Sequence, residues 1–336
     1  NSGYTGIKVT QLGNRKLTWE TTSEFNVGLD LGFLRNRISL SLEYYDRVIS
    51  DLLVTSKSLP SYNEITTIAA NIGKTQGRGF ELTLNTVNIT NKDLTWTTDL
   101  SFYTFEDRWK ERDPNWKPAA YQSVNDPIRA IHTYESDGLL QAGETAPAWQ
   151  KALVPGQVKL KNRHDENGNP NVLNQYDQIL LGSEDPDFTA GFNNTLRYKN
   201  FDFNIYFYGE VGRWRGASYY DRWTAGYTGN PINPSRQTLN AWAHDNTQTT
   251  VPNVIQSSYS VGDYYHKKIN YLRCRNITVG YVIPAAKRVV SNIRVSAGVN
   301  NPFTLTNWSG VDPETDGGDY AYPNVTTFNL GIDISF

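Results

Sequence analysis

Thr327-Phe328-Asn329-Leu330-Gly331-Ile332-Asp333-Ile334-Ser335-Phe336 is the stretch that decides how this sequence is read. Phe328, Leu330, Ile332, Ile334 and Phe336 alternate without exception with Thr327, Asn329, Gly331, Asp333 and Ser335. A period of two puts all the apolar side chains on one face of an extended strand and the polar ones on the other. The rhythm recurs at Phe25, Val27, Leu29, Leu31 and Phe33, at Ile38, Leu40, Leu42 and Tyr44, and at Phe80, Leu82 and Leu84. It returns at Leu94, Trp96, Leu100 and Phe102, along Phe188 to Tyr198, and at Phe201, Phe203, Ile205 and Phe207. Ile277, Val279 and Tyr281, then Ile293, Val295, Ala297 and Val299, complete the series. No stretch offers a convincing helical period, so the expected fold is all-β.

A soluble sandwich would alternate as well. The links between strands decide the matter: Leu34 to Arg37 and Lys199 to Asn200 are tight, whereas Asp107 to Asn125 and Trp214 to Tyr264 are long and polar-aromatic. Short turns at one end and long loops at the other are the pattern of a transmembrane antiparallel β-barrel with periplasmic turns and extracellular loops. Composition agrees, because 21 Tyr, 9 Trp and 13 Phe stand in a chain whose mean hydropathy is only −0.56. Such a wall is apolar at every second position only, which keeps the average hydrophilic, and no run reaches the roughly 18 to 20 apolar residues of a membrane helix. A formal charge of −2 gives no electrostatic reason for a nucleic-acid partner. The lone Cys274 excludes an internal disulfide and a cysteine zinc cluster. The opening Asn1-Ser2-Gly3-Tyr4 lacks a basic-then-apolar leader, and Asn1 is read as an internal residue of a longer precursor.

With Phe336 placed at the periplasm as a terminal barrel signal, strand directions can be assigned from both ends of the chain. The two counts meet between Thr104 and Asp187, where zero or two crossings must lie. Ile128 to Leu140 and Gln157 to Lys161 are therefore both barrel strands or both parts of one external excursion. Two strands are the expectation, giving about 11 in all. Alternation shifts between Leu272/Cys274 and Ile277/Val279/Tyr281, which predicts a bulge near Arg275 and Asn276. The simpler alternative has Arg273 and Arg275 pointing into a wet lumen from the upper part of the strand.

A series of motifs resembles a known family. Leu12-Gly13-Asn14 through Leu17-Thr18-Trp19-Glu20-Thr21-Thr22, followed by Asn26-Val27-Gly28-Leu29-Asp30, is similar to a passage of SusC-like TonB-dependent outer-membrane transporters of Bacteroidetes. Tyr44-Tyr45-Asp46, Asn71-Ile72-Gly73, Gly77-Arg78-Gly79-Phe80-Glu81-Leu82 and Tyr134-Glu135-Ser136-Asp137-Gly138-Leu139 follow in the family's order. So do Pro155-Gly156, Tyr271-Leu272-Arg273, Asn276 to Tyr281, Gly310-Val311-Asp312-Pro313-Glu314 and the ending from Tyr322-Pro323 to Phe336. The resemblance implies that residues 1–336 are the C-terminal half of one plugged barrel of roughly 22 strands. Plug and N-terminal strands would lie outside this chain. It further implies TonB-dependent import of an oligosaccharide or peptide in the bacterial outer membrane. The implied partners are the lipid bilayer, the barrel's own plug, a SusD-like surface lipoprotein, and the TonB complex reached through the missing N-terminal part. The runner-up is a SusC-like scaffold within a larger envelope complex that transports nothing.

Candidate chemistry is sparse. Asp165, Asn167 and Asn169 are spaced like alternate oxygen ligands of a calcium loop, so calcium is the one cofactor to weigh. Asn169 and Pro170 depart from the family's Asp-x-Asn-Gly-Asp-Gly passage, which weakens charge and geometry against an ordinary Asn/Gly turn. His132, His164, His244 and His266 show no ligand spacing, nucleophile motifs are missing, and no enzyme is expected. Loop aromatics carry more weight: Trp109, Trp116 and Tyr121 in one loop, and Trp214, Tyr219, Tyr220, Trp223, Tyr227 and Trp242 in the longest. They suit stacking on sugar or peptide, and they suit packing of the loop on itself or on a lipoprotein lid even better. On the polar parity, Asn26, Asp30, Glu43, Glu81, Asn85, Asp99, Asn193, Arg197, Asn204, Arg294 and Asn300 are expected to line the lumen or face the plug.

Overall fold

The computed structural model describes residues 12–59, 67–163, 171–216, 236–254, 261–284, 292–315 and 322–335. In chain order its strands are β1 (Thr21–Phe33), β2 (Ile38–Ser50), β3 (Leu53–Ser58), β4 (Thr67–Asn71), β5 (Lys74–Thr90), β6 (Leu94–Glu111), β7 (Ala130–Tyr134) and β8 (Ser136–Leu139). They continue as β9 (Val158–Leu160), β10 (Gln178–Ser183), β11 (Phe188–Tyr198), β12 (Phe201–Gly216), β13 (His266–Pro284), β14 (Asn292–Thr306) and β15 (Thr327–Ser335). One antiparallel sheet of nine strands runs β1-β2-β5-β6-β11-β12-β13-β14-β15. Its neighbours are sequential apart from the strands that fold outside it, as in an up-and-down barrel wall.

The strand count differs from the expected 11. β6 pairs directly with β11, Phe102 opposite Ala190 and Leu100 opposite Phe192, so no strand crosses between them. Residues 128–140 and 157–161 belong to an excursion, in which β7 pairs with β10 and β8 with β9. Physically, β7, β8 and β9 hold five, four and three residues, too short for the roughly 9 to 11 that a tilted membrane strand needs.

Register follows the alternation. Leu29 faces Leu42, which faces Leu82, which faces Phe102, so the apolar parity makes one continuous face across four strands. That face is bare: Phe25, Val27, Phe192, Phe201, Val279 and Phe328 are all exposed, and Leu330 is 89% exposed. Burying such side chains is worth about 1.5–3 kcal/mol each, so the face requires an apolar solvent such as a bilayer. At one end the connections are minimal. Leu34, Arg35 and Asn36 turn at φ 52°, 59° and 63°, and Arg37 then donates to the carbonyls of Val87 and Asn88, tying the turn to β5. At the other end lie the long connections and the buried apolar cores. Leu139, Val158, Leu160, Trp242 and Val261 form one core, while Ile269, Tyr271 and Trp308 form a second against the wall.

The bulge lies where the parity shift placed it. Tyr206 and Phe207 of β12 face Asn276 and Cys274 of β13, and β14 skips likewise, leaving Arg275 without a ladder partner. Cys274 is fully buried on the apolar parity, flanked by Phe207 and Phe303, whose ring centroids stand 6.2 Å apart.

Candidate functional site

The polar face is knit by side chains that reach across strands. Asn193 Nδ2 donates to Asp99 Oδ2 on β6 at 3.1 Å, and Asn204 Nδ2 on β12 donates to Asn193 Oδ1 at 2.8 Å. Asn276 Nδ2 donates to Asn300 Oδ1 at 2.8 Å, and Asn26 to Glu43. Nearer the turns, Arg294 on β14 spans β13 to reach Asp202 on β12, with Nη2–Oδ2 at 2.6 Å, and holds Asp333 of β15 at 3.3 Å. That bridge passes over Gly280, where a Cβ would stand 2.4 Å from Asp202 Oδ1 and 2.5 Å from Arg294 Nη2, so a larger residue there would push the bridge aside. Arg197, Asp202 and Arg294 border an open cavity of about 380 Å³ at this end. Higher up, Tyr45 and Tyr103 pair their hydroxyls at 2.8 Å.

Near the loop end the same face carries a buried charge cluster. Arg273 Nη2 meets Asp312 Oδ1 at 2.7 Å with side chains 3% and 4% exposed, and Arg275 pairs with Glu314. Asp312 also accepts the backbone N–H groups of Glu314 and Asn324, both at 2.9 Å. Burial pushes the Asp312 carboxyl up, but those donors and the guanidinium outweigh it and hold the group below the usual carboxylate range. Trp308 sits beneath the Arg215 guanidinium, 5.5 Å from its ring centroid, and packs with Ile269 and Tyr271. Together these contacts fold residues 307–315 inward against the polar face. Sequence reading missed the cluster, although Tyr271-Leu272-Arg273 and Gly310 to Glu314 both stood among the family motifs; their charges signalled a pair that local pattern cannot join.

The aromatic loop residues divide by what they touch. Arg112 is sandwiched between Trp109 and Trp116, with its Cζ 4.8 Å and 4.3 Å from the two ring centroids. Tyr121 leans on His132 at 5.1 Å, and His132 Nε2 lies 3.0 Å from Asp126 Oδ2. Trp214 crosses the backbone of β10 so closely that a Cβ on Gly182 would lie 2.2 Å from the indole. Trp242 is buried at the centre of the first core, with Nε1 donating to Gln141 Oε1 at 3.1 Å. Trp109 and Trp116 thus share one cation while Tyr121 packs separately on His132, all three half-buried, and Trp214 and Trp242 join the two long connections. Tyr219, Tyr220, Tyr227, Trp223, Phe336 and the calcium-loop residues Asp165, Asn167 and Asn169 lie outside the described residues. Among the described residues, no group of three or more His, Cys, Asp or Glu is placed to hold a metal ion.

Residues 1–331 match the family model described as "TonB dependent receptor-like, beta-barrel". This chain belongs to that family. Over 362 residues it is 29% identical to TonB-dependent receptor P3 of Formosa agariphila, covering 98% of this chain and 36% of that protein. To TonB-dependent receptor SusC of Bacteroides thetaiotaomicron it is 28% identical over 348 residues, 96% of this chain and 32% of the relative. The chain therefore spans about a third of the length of the curated relatives it matches. Among solved structures, the RagAB peptide transporter superposes at a TM-score of 0.78 with 24% identity, covering 100% of this chain and 38% of that one. At that identity the likeness concerns the fold. The nine-stranded sheet of this TonB-dependent receptor is outer-membrane barrel wall, its apolar face turned to lipid and its polar face inward. The chain is not an enzyme.

Proposed function

We propose that the protein imports a nutrient, an oligosaccharide or a peptide, across the outer membrane with energy supplied through TonB. This chain is then the C-terminal part of the barrel. The plug, the early strands and the TonB contact belong to the rest of the parent protein. A SusD-like surface lipoprotein covers the mouth, with Trp109, Trp116 and Tyr121 meeting either that lid or the cargo, and Asn193, Arg197, Arg294 and Asn300 facing the lumen or plug. The observation that carries this reading is the inner wall itself. Family membership joins a polar face knit by Asp99, Asn193, Asn204, Asn276 and Asn300 to a capped end that holds the long connections.

The test uses the full-length protein in its native host. Deleting the gene should abolish uptake of one labelled glycan or peptide pool, and restoring it with TonB coupling intact should return uptake. Should the deletion leave every such uptake unchanged while an envelope assembly falls apart, the barrel is a scaffold and import is excluded.

A further inference from the structure

The two rims of the wall differ on the lipid face. At the turn end its outward positions are Phe33, Ile38, Tyr198, Phe201, Ile283 and Ile334, none of them charged. At the loop end the same parity passes into charge. Phe80 faces Tyr44 and Thr104, and the next outward position on β5, Arg78, faces Asp46 and Glu106.

Depth can be read from β5. Its outward positions run Phe80, Leu82, Leu84, Thr86 and, past a bulge, Ile89. These eight register steps, at about 3.3 Å per residue and tilted by about 40°, rise roughly 20 Å, most of the roughly 25 Å apolar band of an outer-membrane barrel. Arg78 lies about 5 Å beyond Phe80, at the edge of that band where the headgroup layer begins. Asp46 orients it by taking Nε at 2.9 Å while gripping Gln76 Nε2 at 2.6 and 2.8 Å. Among the described residues nothing takes the two terminal nitrogens of Arg78, whose side chain is 54% exposed. Lys110, the residue between the paired Trp109 and Glu111, is exposed on the neighbouring strand β6, four positions beyond the Glu106 that faces Arg78.

We propose that Arg78 and Lys110 form a binding site for the phosphate of an outer-leaflet glycolipid headgroup, with Asp46 as the positioning residue. A guanidinium whose Nε is already fixed offers its terminal nitrogens as a planar fork, the geometry that binds phosphate through two hydrogen bonds, and Lys110 adds a point charge. The occupant is a lipid because the site continues the bare apolar band, against which acyl chains already lie. Free phosphate would gain the fork but not the band. The inference rests on outer-membrane location and is independent of import.

The experiment titrates the purified full-length protein in detergent with lipid A carrying or lacking its phosphate, and counts bound lipid by native mass spectrometry. Wild type should favour the phosphorylated form, and the double variant Arg78→Gln, Lys110→Gln should weaken that binding by about tenfold, the loss expected of a charge-assisted hydrogen bond. Arg78→Lys should recover part of it, and Arg35→Gln, at the turn end, should change nothing. Folding of each variant is read from its heat-dependent gel mobility. Equal binding of the two lipid forms, or an unaffected double variant, overturns the site. So does a double variant that keeps its lipid and loses a co-purifying protein chain, because the patch is then a protein interface.

Discussion

The membrane wall and the extracellular cap are built by opposite rules. In the wall, stability comes from ladder hydrogen bonds and from an apolar face that lipid completes, so Leu330 can stand 89% exposed without contradiction. In the cap, Val158 and Leu140 are almost wholly buried by residues from distant connections, as in a small soluble protein. Lipid dictates one side chain in two along every wall strand and leaves the cap unconstrained. Regularity therefore belongs to the wall, and individuality to the cap.

The sharpest break in that contrast lies where cap meets wall, at Arg273 and Asp312. Removing one partner of a buried pair strands the other charge, at a cost of about 3–5 kcal/mol. Arg273→Ala in the full-length protein should therefore free residues 307–315 and expose new protease sites in the β14–β15 connection, while the heat-resistant barrel band persists. Protease resistance equal to wild type would show that Trp308 and the backbone hold that segment without the pair.

The wall itself is tested on adjacent residues of β15. Leu330→Arg places a charge in lipid near mid-strand and should destabilise the barrel by about 2–4 kcal/mol, whereas Asn329→Arg turns the charge inward and should cost far less. Urea unfolding of membrane-inserted protein measures both midpoints, and equal losses would mean that the parity has been assigned to the wrong faces.

What could be read in advance follows the same division. All nine wall strands, the 34–37 turn and the bulge at Arg275 were legible, because a period of two records which solvent each residue meets. The strand count failed at residues 128–140, where Ile128, Ile131, Leu139 and Leu140 are as apolar as a wall strand yet belong to the cap, with Leu139 and Leu140 buried there and Ile128 exposed. Sequence parity allowed zero or two crossings, and only pairing of β6 with β11 selects zero. β10 and the β3–β4 hairpin gave no signal of comparable length. The Arg112 sandwich and the pairing of Arg273 with Asp312 were illegible for another reason. Each depends on where loops return in space, and charge and aromatic content announce partners without naming them.

The gentlest test sits inside the cap. Glu135, between β7 and β8, is held by Lys161 and Arg163, which follow β9, so these ion pairs hold the β7–β8 corner to the segment after β9. The hydrogen bond from Lys161 is the largest influence on its carboxyl and, with Arg163, holds it below the usual glutamate range. A depressed folded value means that the stabilisation is complete above the unfolded value of about 4.3 and is lost as the pH falls through the lower folded value. Partial exposure limits the contribution to about 1 kcal/mol or less. Glu135→Gln should therefore lower cap stability slightly at neutral pH, seen as faster amide exchange in β8 and β9. The difference from wild type should vanish in acid. A gap that persists in acid even below the depressed folded value, where both forms are neutral, would assign the effect to shape or hydrogen bonding rather than to charge.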